Sequence, residues 1–559
     1  MSFKWLNENS INFLEGGYLQ EGVSAKERIL EIAKAAEADL NISGFADKFY
    51  DYMSKGYYSL SSPIWSNYAL DRGLPISCFG SSIEDNLPDI LFTHSEVGMM
   101  SKYGGGTSGY FGNLRPRGSI ITDNGHSSGA VHFMKLFDSE IDVISQGSVR
   151  RGRFSPYLPI EHPDIEEFLD IGTEGNEIQL LTHAVTITDK WMDEMRNGDS
   201  KKRNIWAKVL QRRTEIGYPY IIFIDRMNNE TVDVYKDKGL KIVASNLCSE
   251  IALPSNENYS FVCNLASMNL LHYQAWKETD AVEVMVYFLD AVLNDFLRKL
   301  EKLRDSDKKE DNMAFVYMEK AYNFAKDNRA LGLGALGYHS YLQSNMIPFE
   351  SLDAKRINTE MFKFIQDKAY KASSELAQLF GEPKLLEGYG RRNTTLTAVA
   401  PTTSSSFILG QVSQSIEPLF SNNYVKDLAK AKVTIKNPYL EKLLEEKGQN
   451  TREVWLSIRD HDGSVLHLDF LSEDEKAVFK TFSELDQWEI ISQAATRQQY
   501  IDQSQSLNIM INTKEISPKD LNALYLHAYD LGIKSLYYQH GTNAAQQFSQ
   551  NKLCAVCEA

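Results

Sequence analysis

The stretch SNLCSEIALP, residues 245–254, places an amide, a thiol and a carboxylate at alternate positions: Asn246, Cys248 and Glu250. In an extended segment, alternate side chains point to the same face, so these three groups are predicted to converge. The simpler alternative is a buried cysteine beside a surface glutamate. Other parts of the sequence are therefore needed to distinguish a reactive site from ordinary packing of these three residues.

The other four cysteines lie in three separate parts of the chain. Cys78 and Cys263 occur in PISCFGSS and FVCNLASMNL, where a buried, unreactive thiol is the ordinary expectation. Cys554 and Cys557 fall in the last six residues, NKLCAVCEA. Chain ends are poorly ordered unless something ties them down, so a structural disulfide there would stiffen little. The terminal dithiol therefore needs a chemical explanation, and five cysteines leave at least one thiol unpaired.

The composition restricts the class of protein. With 59 basic and 75 acidic side chains the net charge is -16, which argues against a nucleic-acid polymer as partner, although a single nucleotide could still bind. No run of about 18 apolar residues could span a membrane, and the first residues lack the apolar stretch of a secretory signal. Few cysteines in a long chain are typical of a reducing cytoplasm.

The pattern of apolar residues predicts the organisation of the chain. SAKERILEIAKAAEADL has helical periodicity behind a capping serine, so residues 1–61 are predicted to be helical. Short apolar runs then alternate with helical stretches, which favours an α/β domain over 62–549. A more charged segment at about 426–486 is predicted to be a small insertion. Residues 550–559 are predicted to be a flexible tail.

Two glycine-rich stretches match the dinucleotide pattern G-x-G-x-x-G: GGGTSG, residues 104–109, and GLGALG, residues 332–337. A dinucleotide-binding motif follows a strand and opens a helix. Both stretches here follow segments that look helical, so neither is predicted to bind a dinucleotide.

Two further stretches carry side chains suited to chemistry. In NTTLTAVAPTTSSSFILGQ, five hydroxyl residues follow Pro401 ahead of a possible helix. Hydroxyls and free N–H groups at a helix start suit a phosphate, although ordinary helix capping would use the same residues. In LGIKSLYYQHG, Tyr537 and Tyr538 are adjacent. Neighbours in a strand face opposite ways, so such a pair usually packs one ring inward.

Together these stretches resemble the large, catalytic subunit of class I ribonucleotide reductase. SNLCSEIALP, GGGTSGYFGNLRPRGS, SQGSVRRG, APTTSSSF, DQSQSLN and KSLYYQ occur in this chain together with all five cysteines, and the resemblance extends from about Ser61 to Cys557. It implies a ten-stranded α/β barrel made of two five-stranded halves, with the Cys248 loop threaded through its centre. A helical N-terminal region and a small α/β insertion would complete the fold.

The resemblance also implies a reaction, the reduction of ribonucleotides, expected to be ribonucleoside diphosphates, to 2′-deoxyribonucleotides. Cys248 would become a thiyl radical that removes the 3′ hydrogen of the ribose. Glu250 would take the 3′ hydroxyl proton, and Asn246 would position the sugar hydroxyls. Cys78 and Cys263 would deliver two electrons and end as a disulfide.

Binding residues are implied by the same resemblance. The substrate phosphates would be held by Ser62, Ser77, Thr402, Thr403, Ser404 and Ser405. Deoxynucleoside triphosphate or ATP effectors that select the base would be read by Asp85, Arg115 and a loop over 145–153 that contains Ser145, Gln146 and Arg150.

The implied partners explain the remaining motifs. Tyr537 and Tyr538 would be the last steps of a radical relay from a metal-containing small subunit, so this chain itself is expected to carry no metal and no covalently bound cofactor. Cys554 and Cys557 would reduce the active-site disulfide and pass the oxidised pair to a thioredoxin-like or glutaredoxin-like reductant. The large subunit is expected to form a homodimer.

Two other interpretations remain at this point. A cobalamin-dependent reductase shares the barrel and the thiols, but the tyrosine pair argues against it. A non-catalytic nucleotide-binding regulator is disfavoured by the presence of Cys248 and Glu250. Many family members also carry an ATP-cone of about 90 residues before the helical region, and Cys78 occurs too early here to leave room for one. Control of overall activity by dATP through this chain is therefore not expected.

Overall fold

The computed structural model describes residues 3–147, 151–428, 431–512 and 515–541, and it describes no side chains for 425–433. Three residues predicted to be functional, Arg150, Cys554 and Cys557, lie outside the described residues. Among the helices that these ranges contain, none has both the length and the apolar character needed to cross a membrane.

The chain begins with three helices, α1 (Glu8–Glu15), α2 (Ala25–Leu40) and α3 (Phe45–Ser54). Ser24 caps α2, because its hydroxyl accepts a hydrogen bond from the Glu27 N–H while the Glu27 carboxylate accepts from the Ser24 N–H. The buried Arg28 donates hydrogen bonds to the carbonyl oxygens of Trp65 and Tyr68, at 3.0 and 2.6 Å. These bonds attach α2 to the start of the catalytic domain.

The strands, in chain order, are β1 (Tyr58–Leu60), β2 (Cys78–Ser82), β3 (Gly106–Tyr110), β4 (Ile120–Ile121), β5 (Gly125–His126), β6 (Phe154–Pro159), β7 (Ala184–Ile187), β8 (Tyr220–Phe223), β9 (Phe261–Asn269), β10 (Leu331–Leu336), β11 (Asn423–Leu428), β12 (Ala431–Lys436), β13 (Ile509–Ile511), β14 (Ser535–Leu536) and β15 (Gln539–Gly541).

The helices that follow the first three are α4 (Ser62–Asn67), α5 (Leu87–Lys102), α6 (Ala130–Val143), α7 (Ile165–Phe168), α8 (Asp189–Arg196), α9 (Ser200–Ile216), α10 (Ile224–Asn229), α11 (Asp233–Asp237), α12 (Tyr273–Trp276), α13 (Ala281–Arg304), α14 (Lys309–Asn328), α15 (Tyr338–Ser344), α16 (Leu352–Phe380), α17 (Thr403–Ile408), α18 (Pro438–Glu446), α19 (Arg452–Asp460), α20 (Glu473–Val478), α21 (Gln487–Gln498) and α22 (Pro518–Asp530).

Two sets of parallel strands form the barrel. In the first half, β2, β3, β6, β7 and β8 pair side by side in parallel. In the second half, β9 pairs in parallel with β10, and parallel bridges Leu333↔Thr397 and Val399↔Gln505 continue the order. The segment that ends in β13 then pairs in parallel with β15. Each half therefore contributes five extended segments.

The two halves are joined by antiparallel pairs, β2 with β9 and β14 with β8. The ten extended segments thus close into a ring, which confirms the predicted fold class. Helices lie between the consecutive parallel strands of the first half, as parallel connections require. Loop residues 241–260, which contain the stretch SNLCSEIALP, contribute no strand to this ring.

The charged segment predicted as an insertion contains the hairpin β11–β12 and the helices α18, α19 and α20. Ten buried residues here, from Leu440 to Phe479, form a hydrophobic cluster separate from the main core. Such a cluster is what allows a small unit to pack within a larger domain.

The two glycine-rich stretches lie in contexts that do not suit a dinucleotide. Residues 104–109 follow helix α5 and enter strand β3, and residues 332–337 follow helix α14 and form most of β10. Close packing explains one of these glycines: a Cβ at Gly332 would lie 2.5 Å from the Leu265 side chain and 3.0 Å from the Cys263 sulfur. The prediction that neither stretch is a dinucleotide motif agrees with this order of elements.

Candidate active site

Cys78 and Cys263 are directly opposite each other where the two halves of the barrel meet. Both are buried free thiols, and they are register partners in the antiparallel pair β2–β9. Directly opposed residues in such a pair have Cα atoms about 4.5–5.5 Å apart, which lies within the range that a disulfide spans. Burial raises the pKa of both thiols, that of Cys263 to about 12. The resting pair is therefore protonated and placed to close a disulfide.

The loop that carries Asn246, Cys248 and Glu250 is a turn and not the extended segment that the alternation suggested. Residues 247–249 form the turn, and Ser249 adopts a left-handed φ of 64°. The turn still directs polar groups inward: Asn246 Nδ2 donates to the Cys78 sulfur at 3.1 Å. The predicted convergence is thus present, but it comes from a turn and from neighbours on other strands.

Several strands hold this loop at the centre of the barrel. Ser108 on β3 donates to the Ser245 carbonyl at 2.8 Å, and Tyr157 on β6 donates to the Asn246 carbonyl at 2.5 Å. From the opposite half, Ser506 Oγ lies 2.6 Å from the Cys248 carbonyl oxygen. Because both halves of the barrel contribute, the loop has a fixed position between them.

Glu250 is the acidic group of the site. It is buried, and Ser506 Oγ lies 3.1 Å from its Oε2 atom. Burial raises the pKa of Glu250 to about 7, while hydrogen bonds from its own backbone, Asn246 and Ser506 act in the opposite direction. A carboxyl with a pKa near neutrality can both accept and release a proton under ordinary conditions.

The tyrosine pair connects the loop to the second half of the barrel. The Tyr537 hydroxyl lies 3.6 Å from the Cys248 sulfur, and the ring centroids of Tyr537 and Tyr538 are 4.4 Å apart. Both side chains are buried. The pair falls between β14 and β15, where the strand is interrupted, so the rings do not face opposite ways as they would in a regular strand. A continuous path of contacts therefore runs from Tyr538 to Cys248.

The predicted phosphate-binding hydroxyls lie at the start of α17 and near β1 and β2. Thr402, with φ 51°, precedes the helix, and Ser405 Oγ donates to the Leu60 carbonyl at 3.4 Å, which brings the helix start close to Ser62. The buried Ser77 hydroxyl has no hydrogen-bond partner among the described residues. Ser77 directly precedes Cys78 in the chain.

The predicted effector residues fall into two places. Asp85 and Arg115 form an ion pair, with Nε to Oδ2 at 2.7 Å. Gln146 instead donates to Asn67 Oδ1 at 2.9 Å, and Ser145 Oγ donates within its own loop, to the Gly147 carbonyl at 3.4 Å. The effector loop therefore contacts the segment that leads to Ser77, and the Asp85–Arg115 pair lies apart from that contact.

Sequence reasoning did not assign several residues that shape the site. Gln503 Nε2 lies 3.6 Å from the Cys263 sulfur, and its Oε1 accepts from the Ala252 N–H at 3.0 Å. Gln503 and Ser506 both belong to the motif DQSQSLN, which contributes to the family resemblance but did not indicate a role for either residue. Tyr157 belongs to no such motif and was missed.

A groove with a cavity volume of about 820 Å³ opens on the outer surface between α8, α9 and α22. Its apolar lining includes Trp206, Leu210, Leu521 and Leu526. Thr214 also lines it and accepts a hydrogen bond from Gln539, the residue after Tyr538, at 3.1 Å. A hydrogen bond therefore connects the groove wall to the residue that follows the tyrosine pair.

Comparisons with known proteins agree with this geometry. The family model for the ribonucleotide reductase barrel domain matches residues 76–202, 194–385 and 382–539. The solved class Id ribonucleotide reductase alpha subunit of Actinobacillus ureae is 55% identical, covers 98% of this chain and 99% of its own, and superposes with a TM-score of 0.90.

Two curated relatives bear on the choice between classes. The ribonucleoside-diphosphate reductase large subunit of Invertebrate iridescent virus 3 is 32% identical over 98% of this chain and 97% of its own length. The vitamin B12-dependent ribonucleoside-diphosphate reductase of Thermoplasma acidophilum is 30% identical, and this chain spans only 64% of it. The cobalamin-dependent alternative is therefore not the better supported one.

Three thiols, a carboxyl with a pKa near 7 and a buried tyrosine pair thus meet at the centre of a ten-stranded barrel that a family model matches over most of the chain. The chain belongs to the ribonucleotide reductase family, as a large, catalytic subunit of that enzyme.

Proposed function

We propose that the chain reduces ribonucleoside diphosphates with a radical delivered by a separate small subunit. The observation that carries the proposal is the position of Cys248: Tyr537 contacts its sulfur at 3.6 Å, and the same loop reaches Cys78 through Asn246 at 3.1 Å. One thiol can therefore receive a radical from the tyrosines while two others face the same space. The relatives named as ribonucleoside-diphosphate reductases favour the diphosphate.

The proposed reaction begins when Cys248 gives up a hydrogen atom toward Tyr537 and becomes a thiyl radical. The thiyl removes the 3′ hydrogen of the ribose, and Glu250 accepts the 3′ hydroxyl proton. The 2′ hydroxyl takes a proton from the Cys78–Cys263 pair and leaves as water. The 2′ carbon ends with a hydrogen, and the two thiols, having supplied two electrons and two protons in all, become one disulfide. Glu250 returns its proton to the 3′ oxygen, and return of the 3′ hydrogen from Cys248 restores the thiyl radical.

The polar groups around the thiols have matching proposed roles. Asn246 orients the sugar hydroxyls and holds the Cys78 sulfur by its hydrogen bond. The hydroxyls of Ser62, Ser77 and residues 402–405 hold the phosphates, an assignment that the unpartnered Ser77 hydroxyl supports. A buried hydroxyl without a partner is costly unless a ligand supplies one.

We place the docking site of the small subunit at the groove between α8, α9 and α22. A radical must enter next to Tyr538, and the groove reaches Gln539 through Thr214. Its apolar lining suits an apolar segment of that partner.

Changing Leu521 to Asp, at the groove wall, is expected to weaken binding of the small subunit at least tenfold while nucleotide binding stays unchanged. Unchanged affinity in sedimentation or calorimetry would exclude this face.

A second copy of the chain is proposed to cover α5 and α6. The side chains of Leu87, Leu91 and Val143 are 56%, 49% and 80% exposed on these two helices, and apolar clusters of this kind usually mark an interface. Asp85 precedes α5 and Ser145 follows α6, so an effector bound there would adjoin the dimer contact. Changing Asp85 to Asn should abolish binding of dATP at the site that Asp85 and Ser145 flank, as measured by equilibrium binding; dATP binding that survives the change would show that the effector binds elsewhere.

The decisive test of the proposed function is turnover with each candidate radical source. The chain is mixed with a metal-loaded small subunit, dithiothreitol, an effector and each ribonucleoside diphosphate, and deoxynucleotide formation is measured. A parallel reaction contains adenosylcobalamin and no small subunit. We expect product only in the first reaction, and product only in the second would establish the cobalamin-dependent alternative.

A further inference from the structure

The tyrosine pair has a third aromatic neighbour, Tyr220, which has no role in the reaction described so far. Its ring centroid lies 4.7 Å from that of Tyr537 and 5.1 Å from that of Tyr538. The pair itself is separated by 4.4 Å. The three phenol rings therefore contact one another within one buried cluster, against which Cys248 also packs.

The fold explains why Tyr220 occupies this place. Strand β8 pairs antiparallel with β14 through Ile222↔Ser535 and Ile221↔Leu536. One further step along the same register puts Tyr220 opposite Tyr537. The buried Arg213 reinforces the arrangement, because its Nη1 donates to the carbonyl of Pro219 at 2.6 Å and to the carbonyl of Tyr537 at 2.8 Å. The backbones that carry the two rings are thus tied together by one guanidinium.

The Tyr220 hydroxyl is completely buried, and its oxygen has no hydrogen bond of standard geometry among the described residues. Burial raises its pKa well above the ordinary value, and the interaction with Tyr538 raises it further, whereas contact with Thr182 opposes the rise. This hydroxyl consequently keeps its proton when a neighbouring phenol loses one. Towards a Tyr538 phenol that has lost its proton, the Tyr220 hydroxyl can act only as a donor.

We infer that Tyr220 is a positioning residue for radical transfer, which holds the phenols of Tyr537 and Tyr538 in contact and presents a proton-bearing hydroxyl to Tyr538. The inference rests on the proposed role of those two residues as the relay. A donor beside a phenol stabilises the state in which that phenol has lost its proton.

The contact can be measured without turnover. In the full chain, Tyr538 is replaced by 3-nitrotyrosine, whose absorbance reports the pKa of the phenol at position 538. Adding Tyr220→Phe is expected to raise that pKa by about half a unit or more, because a donor is lost while the ring remains. Tyr218→Phe is the matched control, since its ring centroid lies 6.3 Å from that of Tyr538. We expect no shift with Tyr218→Phe.

Steady-state kinetics with the small subunit give the second readout. Tyr220→Phe in an otherwise unchanged chain is expected to lower kcat about three- to tenfold and leave KM unchanged, and Tyr220→Leu to lower kcat further. An unshifted nitrophenol pKa, or an equal shift with Tyr218→Phe, would overturn the inference. Full turnover by Tyr538→Phe would instead refute the relay, while the absorbance titration would still report the Tyr220 contact.

Discussion

Glu250 combines complete burial with a few hydrogen bonds, and the balance between them sets its proton affinity. Desolvation disfavours the carboxylate, and the bonds from Asn246, Ser506 and its own backbone restore part of the loss. Since the folded-state pKa of about 7 exceeds the ordinary glutamate value of 4.5, ionisation of Glu250 opposes folding. Protonated Glu250 therefore contributes to folding stability. This contribution is complete below pH 4.5 and is lost as the pH rises through about 7.

The same value predicts the pH dependence of catalysis. Only the carboxylate can accept the 3′ hydroxyl proton, so kcat/KM should rise with pH through an apparent pKa of about 7. Ser506→Ala removes a bond that favours the carboxylate, and we expect it to move this ascending limb to higher pH. Ser504→Ala is the matched control, because Ser504 Oγ bonds Ser535 and not Glu250. A pH–rate profile of each variant measures the effect, and identical profiles would exclude Glu250 as the acceptor.

Replacing Cys248 by Ala should abolish deoxynucleotide formation while substrate binding stays within about twofold. The reason is that Cys248 is the thiol that the Tyr537 hydroxyl approaches, at 3.6 Å, whereas the proposed phosphate-binding hydroxyls do not involve Cys248. Product formation and equilibrium binding of the substrate are measured on the same preparation. Appreciable product would remove the central assignment.

At this scale the sequence predicted the identity of the reactive groups better than their geometry. Asn246, Cys248 and Glu250 do face one site, but through a turn at Ser249 that a pattern of alternate residues cannot reveal. The contribution of Tyr157 was also not predictable, because a single tyrosine in a strand carries no signal that its hydroxyl bonds a loop 89 residues away.

Among the elements, the interrupted strand from Ser535 to Gly541 has the largest consequence for function. β14 ends at Leu536 and β15 begins at Gln539, so two tyrosines leave the strand pattern and their rings come into contact, tilted by 56°. Regular alternation would have separated their rings, and the sequence favoured that geometry. The break could not be foreseen, because it depends on pairing with β8 on one side and with β13 on the other.

Because the interruption of the strand brings Tyr537 and Tyr538 into contact, both phenols are predicted to be required for radical transfer. Changing Tyr537 or Tyr538 to Phe should reduce turnover by at least about a hundredfold, because Phe fills the same space but has no phenolic proton to lose with its electron. Near-unchanged thermal unfolding would show that packing survives. Wild-type rates in either variant would argue that the radical reaches Cys248 by another route.

For the whole molecule, the ten-stranded ring and its two halves were predicted from the resemblance, whereas composition and periodicity alone supported no more than an α/β class. Neither the resemblance nor the composition and periodicity could predict which residues of neighbouring strands pair. The opposition of Cys78 and Cys263 depends on which residues of β2 and β9 pair, 185 positions apart in the sequence. The proposed domain limits at 61, 426–486 and 550 stay predictions.

The terminal cysteines provide a prediction at the scale of the full chain. Changing both Cys554 and Cys557 to Ser should allow one turnover from the reduced Cys78–Cys263 pair, and slow continued turnover with dithiothreitol. With thioredoxin alone the variant should stall, because a folded protein cannot reach a disulfide between buried thiols. Normal turnover with thioredoxin would show that Cys554 and Cys557 do not transfer electrons to the active-site disulfide.

Closure of the barrel also governs how the chain behaves before it is complete. Because the halves join through β2–β9 and β8–β14, neither half has a partner for its outermost strands until the other is present. Unpaired strand edges recruit further strands, including those of other chains. A fragment of residues 76–223 would therefore expose two such edges, and we expect it to aggregate where the intact chain does not. The second half thus covers the edges of the first only once the whole chain has been synthesised.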